Sequence, residues 1–387
     1  MKKYILIIII LIFILPESIF AIPAFARKYK VSCTTCHAPF PRLKAYGDEF
    51  AGNGFIMKEN EKDRYYVKTG DEELKLNKDF PLAVRTDLFI THEPDKNVES
   101  DLALPWGVKL LSGGTITDHV GYYFYFYLSE RGEVAGIEDA YIHFDNVFNT
   151  NLDIMIGQFQ TSDPMLKREL RLTYEDYLLY TYSPTYQPGD IQSTINLKYD
   201  RGIMLVYGLE KTGTDLVAMI VNGNGKGEFI NKKADKDKYK NVGFRLSQGL
   251  PFDISVGGFY YHGIERLTNL NFRENTVQYI GPDLSFSKNK INLTLQYLRR
   301  HDDIIANGSE LDTDLFITEC VFLPTGENGK HFITGLYNYL SNDFQTFSIG
   351  TISYSYLFAR NLKLMIEFSN DFENENSRFV AGLTSAF

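Results

Sequence analysis

The chain has 387 residues, with 40 Lys and Arg against 49 Asp and Glu and a formal net charge of −9. That acidic balance argues against nucleic acid as a partner. No apolar run after Leu15 approaches the roughly 18 residues of a membrane helix, and three cysteines do not make a disulfide framework.

Residues 1–21 read as a secretory signal peptide. Lys2 and Lys3 precede the apolar run Tyr4 to Leu15, and Pro16 to Ala21 follows with a small residue at its end. A basic start, a short apolar stretch and a small-residue cleavage site are the marks of such a leader. Cleavage is expected after Ala21, with Ala24-Phe25-Ala26 as a second candidate. The mature chain is therefore expected outside the cytoplasm.

Residues 22–79 are charged and Lys-rich, and they hold Cys33-Thr34-Thr35-Cys36-His37. Thioredoxin-like chemistry would place the pair at the start of a βαβ unit, and none follows. Zinc would need two further ligands, and Cys320 stands alone in a distant apolar strand. C-x-x-C-H in an exported chain reads as a covalent c-type haem site. Two thiols at this spacing add across the two porphyrin vinyl groups, and the adjacent imidazole lies under the iron. Cys33 and Cys36 are thus the expected thioether links of one haem c, and His37 is its proximal ligand. A simple dithiol or a chance match is the bland alternative.

Behind the motif, Pro39 to Phe55 predicts one short helix with Leu43, Tyr46 and Phe50 on one face, stopped by Gly52 and Gly54. That face would cover one side of the porphyrin. For the distal position Met57 is the candidate within the segment. A ligand from the rest of the chain, a second histidine or an open position are the alternatives. A segment this small makes a poor core alone, so it is expected to need both haem and a surrounding wall.

From residue 80 to 387 the pattern becomes period two. Leu82, Val84, Leu88 and Ile90 alternate with Arg85 and Asp87, and Phe124 and Phe126 with Tyr123, Tyr125 and Tyr127. About sixteen such segments are expected, near 82–91, 106–117, 119–129, 136–146, 150–160, 200–209, 214–223, 240–248, 252–264, 276–287, 290–300, 311–322, 331–341, 344–358, 361–372 and 377–387. Alternation over roughly 9–11 residues, an even strand count and a rhythm of short turns and long loops predict an all-β, antiparallel transmembrane barrel in the bacterial outer membrane, with lipid against its outer face. The long loops are expected at 92–105, 161–199 and 224–239. A soluble β-sandwich or propeller would explain the alternation but not the strand count. The final segment ends in Phe387, and an aromatic end resembles the assembly signal of bacterial outer-membrane barrels.

The stretch Ile22 to Phe50 resembles the N-terminus of fused monohaem cytochrome–porins, the outer-membrane iron oxidases of iron-oxidising bacteria. Pro23, Phe25, Ala26 and Arg27 precede the haem motif, and Pro41, Leu43 and Gly47 follow it, as in that family. The resemblance implies one-electron oxidation of extracellular Fe²⁺. The electron would pass through one haem to a periplasmic c-type cytochrome or other redox carrier, an Fe²⁺:cytochrome c oxidoreductase activity. A haem hanging in the periplasm could not reach an outside donor across about 30 Å of hydrocarbon, so the segment is expected to fold back and plug the lumen.

On that picture His143, Met155 and Met365 face inward and are distal-ligand candidates, with ordinary pore lining as the plain alternative. Tyr123, Tyr125 and Tyr127 face inward as a conceivable relay or as normal barrel residues. Loop 161–199, with Glu169, Glu175 and Asp176, is a candidate gate or hard-cation site. Cys320 has no functional argument. Three readings stand: an Fe²⁺-oxidising conduit, a conduit with another donor or acceptor, and a solute porin whose haem segment is structural or gating.

Overall fold

In the computed structural model, residues 24–57, 61–62, 65–79, 81–94, 96–97, 99–134, 136–162, 165–185, 192–227, 232–267, 273–306 and 308–387 are described. The signal peptide expected at 1–21, with Ile22 and Pro23, lies outside them.

Sixteen strands form one closed barrel. In chain order they are β1 (Leu82–His92), β2 (Ser100–Thr117), β3 (Val120–Glu130), β4 (Gly136–Val147), β5 (Leu152–Gln160), β6 (Tyr199–Leu209), β7 (Thr214–Val221) and β8 (Asn241–Leu250). They continue with β9 (Ile254–Leu267), β10 (Arg273–Lys288), β11 (Ile291–Ala306), β12 (Ser309–Phe322), β13 (His331–Ser341), β14 (Thr346–Ala359), β15 (Leu362–Asp371) and β16 (Asn376–Ala386). Every strand runs antiparallel to its sequence neighbours, and β16 closes the ring on β1, with Ala386 opposite Arg85. At the seam Val84 N–H donates to Phe387 O at 2.6 Å and Phe387 N–H to Val84 O at 2.8 Å.

The period-two pattern is spent as expected. Ile203, Leu205, Phe244, Ile352, Ile366 and Phe379 stand exposed on the outer face. Inward positions carry buried polar groups such as Gln296, Arg300, Glu319, Asn338 and Glu367. An apolar outer belt of this extent would aggregate in water and suits lipid. This is the architecture of a bacterial outer-membrane barrel.

Two expectations are corrected. Residues 92–105 do not form a long loop, because β2 begins at Ser100. Pro105 reads as a strand breaker, yet the pairing steps from Asp87–Gly107 to Phe89–Ala103, so Leu104 to Trp106 bulge opposite Leu88. Proline is tolerated at such a bulge. The long-loop rhythm is also weaker than the sequence suggests. Among the connections between strands, only 161–198 and 222–240 exceed a dozen residues, since β10, β11 and β12 continue as paired strands where loop was expected.

Loop 161–198 does not stand at the mouth. It folds inside the ring, where Leu172, Tyr177, Leu179, Tyr180, Ile195 and Leu197 are buried. Inward polar groups of many strands hold it. Tyr177 Oη donates to Glu319 at 2.8 Å, Tyr180 Oη to Gln296 at 2.6 Å, and Leu178 N–H to Asn338 at 3.1 Å. Glu367 accepts from Tyr174 N–H and Glu175 N–H, and Arg300 donates to Ile195 O at 2.7 Å.

Ile366 lies midway along β15 on the outer face. Ile366→Arg is expected to cost about 2–4 kcal/mol, as for a cation on the lipid face near the midplane. Urea unfolding in lipid vesicles would measure it. A cost near zero would mean that this face does not meet hydrocarbon.

Candidate haem site

Among the described residues, the segment before the barrel has three short helices, α1 (Ala24–Tyr29), α2 (Cys33–Cys36) and α3 (Ala45–Gly52), then a small ribbon pairing 66–67 with 76–77. Ser32 caps α2, its Oγ accepting from Thr34 N–H at 3.3 Å. A single turn brings residues i and i+3 to one side, and both Cys33 and Cys36 line the same cavity as unbridged thiols. Burial pushes both thiols above their ordinary pKa.

His37 follows directly in extended backbone and pairs with Leu43. Its Nδ1 lies 2.8 Å from Pro41 O and 3.3 Å from Arg42 O. Carbonyls only accept, so Nδ1 carries the proton and Nε2 keeps its lone pair. Burial lowers the pKa of the ring and keeps it neutral, although the two carbonyls pull the other way. A neutral imidazole with Nδ1–H on a carbonyl is the form in which histidine binds a metal through Nε2.

The helix differs from its prediction. It starts at Ala45 rather than before Leu43, because Leu43 is held in the bridge to His37. The buried side of α3 is therefore Gly47 and Phe50, and Tyr46 points away, exposed. Leu43 and Phe50 line the cavity without Tyr46.

The cavity takes in about 1280 Å³ of space between atoms, counting the part that is open to solvent. Phe25, Phe40, Leu43, Phe50 and Phe55 come from the segment, and Ala83, Leu111, Tyr123, Tyr141 and Ala386 from the barrel. Lys167, Glu169 and Leu170 of the inserted loop close another side, and Arg85 and Arg360 add positive charge. Residues at the start of β1, the end of β16 and the β14–β15 turn place the cavity at the short-turn end of the barrel. Phe55 stacks on Phe25 and on Tyr123, with ring centroids 5.3 and 4.9 Å apart.

Segment and wall touch closely. Arg27 donates to Leu82 O at 2.6 Å, and Arg42 pairs with Glu319, the buried carboxylate that also accepts from Tyr177. Gly121 of β3 faces Gly54 so closely that a methyl group there would strike the Gly54 carbonyl. Gly54 itself takes φ +66°, a conformation that favours glycine.

The other candidates are not gathered here. Met57 is half-buried just past α3, and His143, Met155 and Met365 do turn inward, but none of the four lines the cavity. His143 is buried against Gly54, with neither ring nitrogen hydrogen-bonded and Asp153 at 3.8 Å. Met155 packs with Tyr141 and Phe159, and Met365 with Trp106, Tyr125 and Tyr127. Tyr123 lines the cavity, whereas Tyr125 and Tyr127 do not. The loop carboxylates do not converge. Asp176 pairs with Arg168 and Arg171, Glu175 with Arg378, and Glu169 stands at the cavity wall. Burial raises the Asp176 carboxyl, but the two guanidiniums outweigh it and hold it below the usual range. Among the described residues no three His, Cys, Asp or Glu side chains form a metal-binding group. Cys320 sits on the outer face of β12. Arg85, Lys167 and Arg360 are the cavity residues that sequence alone did not single out; an inward Arg in an alternating strand was the available signal.

No protein-family model and no curated protein matches the chain. Among solved structures it is similar to the anion-selective porin from Comamonas acidovorans, at TM-score 0.57 and 11% identity over 79% of this chain and 98% of that one. It is also similar to a loop-deletion mutant of OmpT from Vibrio cholerae, at 0.55 and 13% over 79% and 98%. OmpF of Salmonella typhi, in complex with daunomycin, matches at 0.55 and 10% over 83% and 100%. The fold is that of an outer-membrane porin.

Glu319→Gln removes the charge shared by Arg42 and Tyr177. It is expected to cost about 1.5–3 kcal/mol, as for a lost hydrogen bond to a charged group, and to speed proteolysis within residues 24–79 while the barrel stays folded. An unchanged cleavage rate would show that the segment is held otherwise.

Proposed function

We propose that the protein is an outer-membrane electron conduit in which residues 22–79 carry one covalent haem c at the short-turn, periplasmic end of the barrel. The observation that carries this reading is the shared cavity: both motif thiols and an imidazole with free Nε2 face one large apolar space. The residues fit the group. Cys33 and Cys36 would hold it by thioether bonds, and His37 would be its proximal ligand. Phe25, Phe50, Phe55 and Tyr123 exclude water, while Arg85, Lys167 and Arg360 suit its propionates. Bound there, haem would supply one-electron chemistry.

The rest is done by the chain. Pro41 and Arg42 carbonyls fix the ring of His37, and the barrel wall completes a core that the small segment could not bury alone. Extracellular Fe²⁺ as donor, and a periplasmic cytochrome or other carrier as acceptor, rest on the resemblance of Ile22–Phe50. From Arg85 at the cavity to His92 at the other end of β1 is roughly 23 Å along the strand, and less along the barrel axis because such strands tilt. The porin-type fold favours a second reading, a solute porin whose haem segment gates. Against it, the inserted loop fills the lumen with buried side chains.

Cys33→Ala or Cys36→Ala is expected to reduce haem that survives denaturing electrophoresis, and the double variant to abolish it. Full retention in the double variant would refute covalent attachment at this motif. Anaerobic addition of Fe²⁺ near neutral pH is expected to bring up the reduced haem bands of the purified protein. Haem that stays oxidised with Fe²⁺ but is reduced by dithionite would point to another donor. A large open-channel current in planar bilayers would point to the porin.

A further inference from the structure

A second, smaller chamber, with room for about one water-sized sphere (about 20 Å³), lies beyond Arg85, between the wall strands β1 to β3 and the inserted loop. Arg85, Lys109, Arg168 and Arg171 line it, and Asp87 is the single carboxylate among its lining residues. The cations share few carboxylates, although Arg85 also donates to Glu169 O and Arg171 to Thr173 O and Tyr174 O. Arg85 Nε and Lys109 Nζ both sit on Asp87, at 3.0 and 2.8 Å. Arg168 and Arg171 both sit on Asp176, at 2.8 and 2.6 Å. Glu138 touches Arg168 at 3.5 Å but is shared with Lys226 at 2.9 Å. Among these described groups five cations face three carboxylates. Buried charge left without a counterion is strongly disfavoured.

Trp106 supplies an independent sign. Its indole lines the same chamber and is 4% exposed, and its Nε1–H has no hydrogen-bond partner among the described residues. Lys109 Nζ stands 5.6 Å from the centre of that ring. A buried donor without a partner, beside an excess of positive charge, is a place where an anion would be stabilised.

We propose that the chamber binds one small inorganic anion of the halide class, held by Trp106 Nε1–H together with Lys109 and Arg171. The anion fastens loop 161–198, through Arg168 and Arg171, to the wall strands that carry Lys109 and Trp106. The site needs no haem and stands apart from the reading above.

The chain has one tryptophan, so indole emission reports on Trp106 alone. The purified full-length protein would be titrated with sodium bromide replacing sodium gluconate at constant ionic strength. Saturable quenching is expected, with half-saturation shifted at least tenfold by Lys109→Gln or Arg171→Gln and unmoved by Arg299→Gln on the outer face. Quenching that rises linearly without saturation, or that neither inner substitution alters, would overturn the site. Should both inner variants fail to fold, crystals of the unaltered protein grown in bromide decide the matter. Anomalous density within hydrogen-bond reach of Trp106 Nε1 is expected, and its absence at saturating bromide rejects the proposal.

Discussion

Hydrocarbon offers no hydrogen bonds, so each peptide group that crosses it must be paired within the protein. Among the described residues no helix is long and apolar enough to cross, and the solution is a sheet with no edge, whose last edge the seam between β16 and β1 removes. Everything else follows from that closure. Once the ring is shut, alternate side chains face lipid and the rest face each other. The inward set must be polar enough to have satisfied a lumen, and here it satisfies protein. Glu265, Gln296, Arg300, Glu319, Asn338 and Glu367 accept from or donate to the inserted loop.

Glu319 shows how the two fillings of the lumen depend on each other. Arg42 comes from the haem-motif side and Tyr177 from the inserted loop, and one buried carboxylate serves both. Neither filling meets an independent wall. The cavity beside Cys33, Cys36 and His37 is likewise made of three pieces distant in sequence, and its size depends on how deeply the loop descends. A segment too small for a core of its own thus borrows one from two partners.

The strands were legible because lipid enforces a strict period of two, and a run such as Leu362, Leu364, Ile366 and Phe368 admits little else. The C-x-x-C-H pattern was visible because its spacing is local, with both thiols on one turn and His37 next in the chain. What escaped was set by distance. Nothing near Tyr174 announces that its N–H will meet Glu367, 193 residues on. β2 starts at Ser100, ahead of the expected 106, and runs through Pro105, since a proline is harmless in a bulge. The face of α3 was misread because one bridge, His37 to Leu43, delays the helix and rotates its buried side away from Tyr46.

The seam carries a consequence of order. Its two strands are the first and the last of the ring to be synthesised, so the sheet stays open until the rest of it has been laid down. Residues 24–79 and loop 161–198 bond to inward side chains on both sides of that opening, and a closed ring gives a folded segment no way in. The contents must therefore be gathered while the wall is still a curved, unfinished sheet. For this chain, packing and enclosure are one event in time.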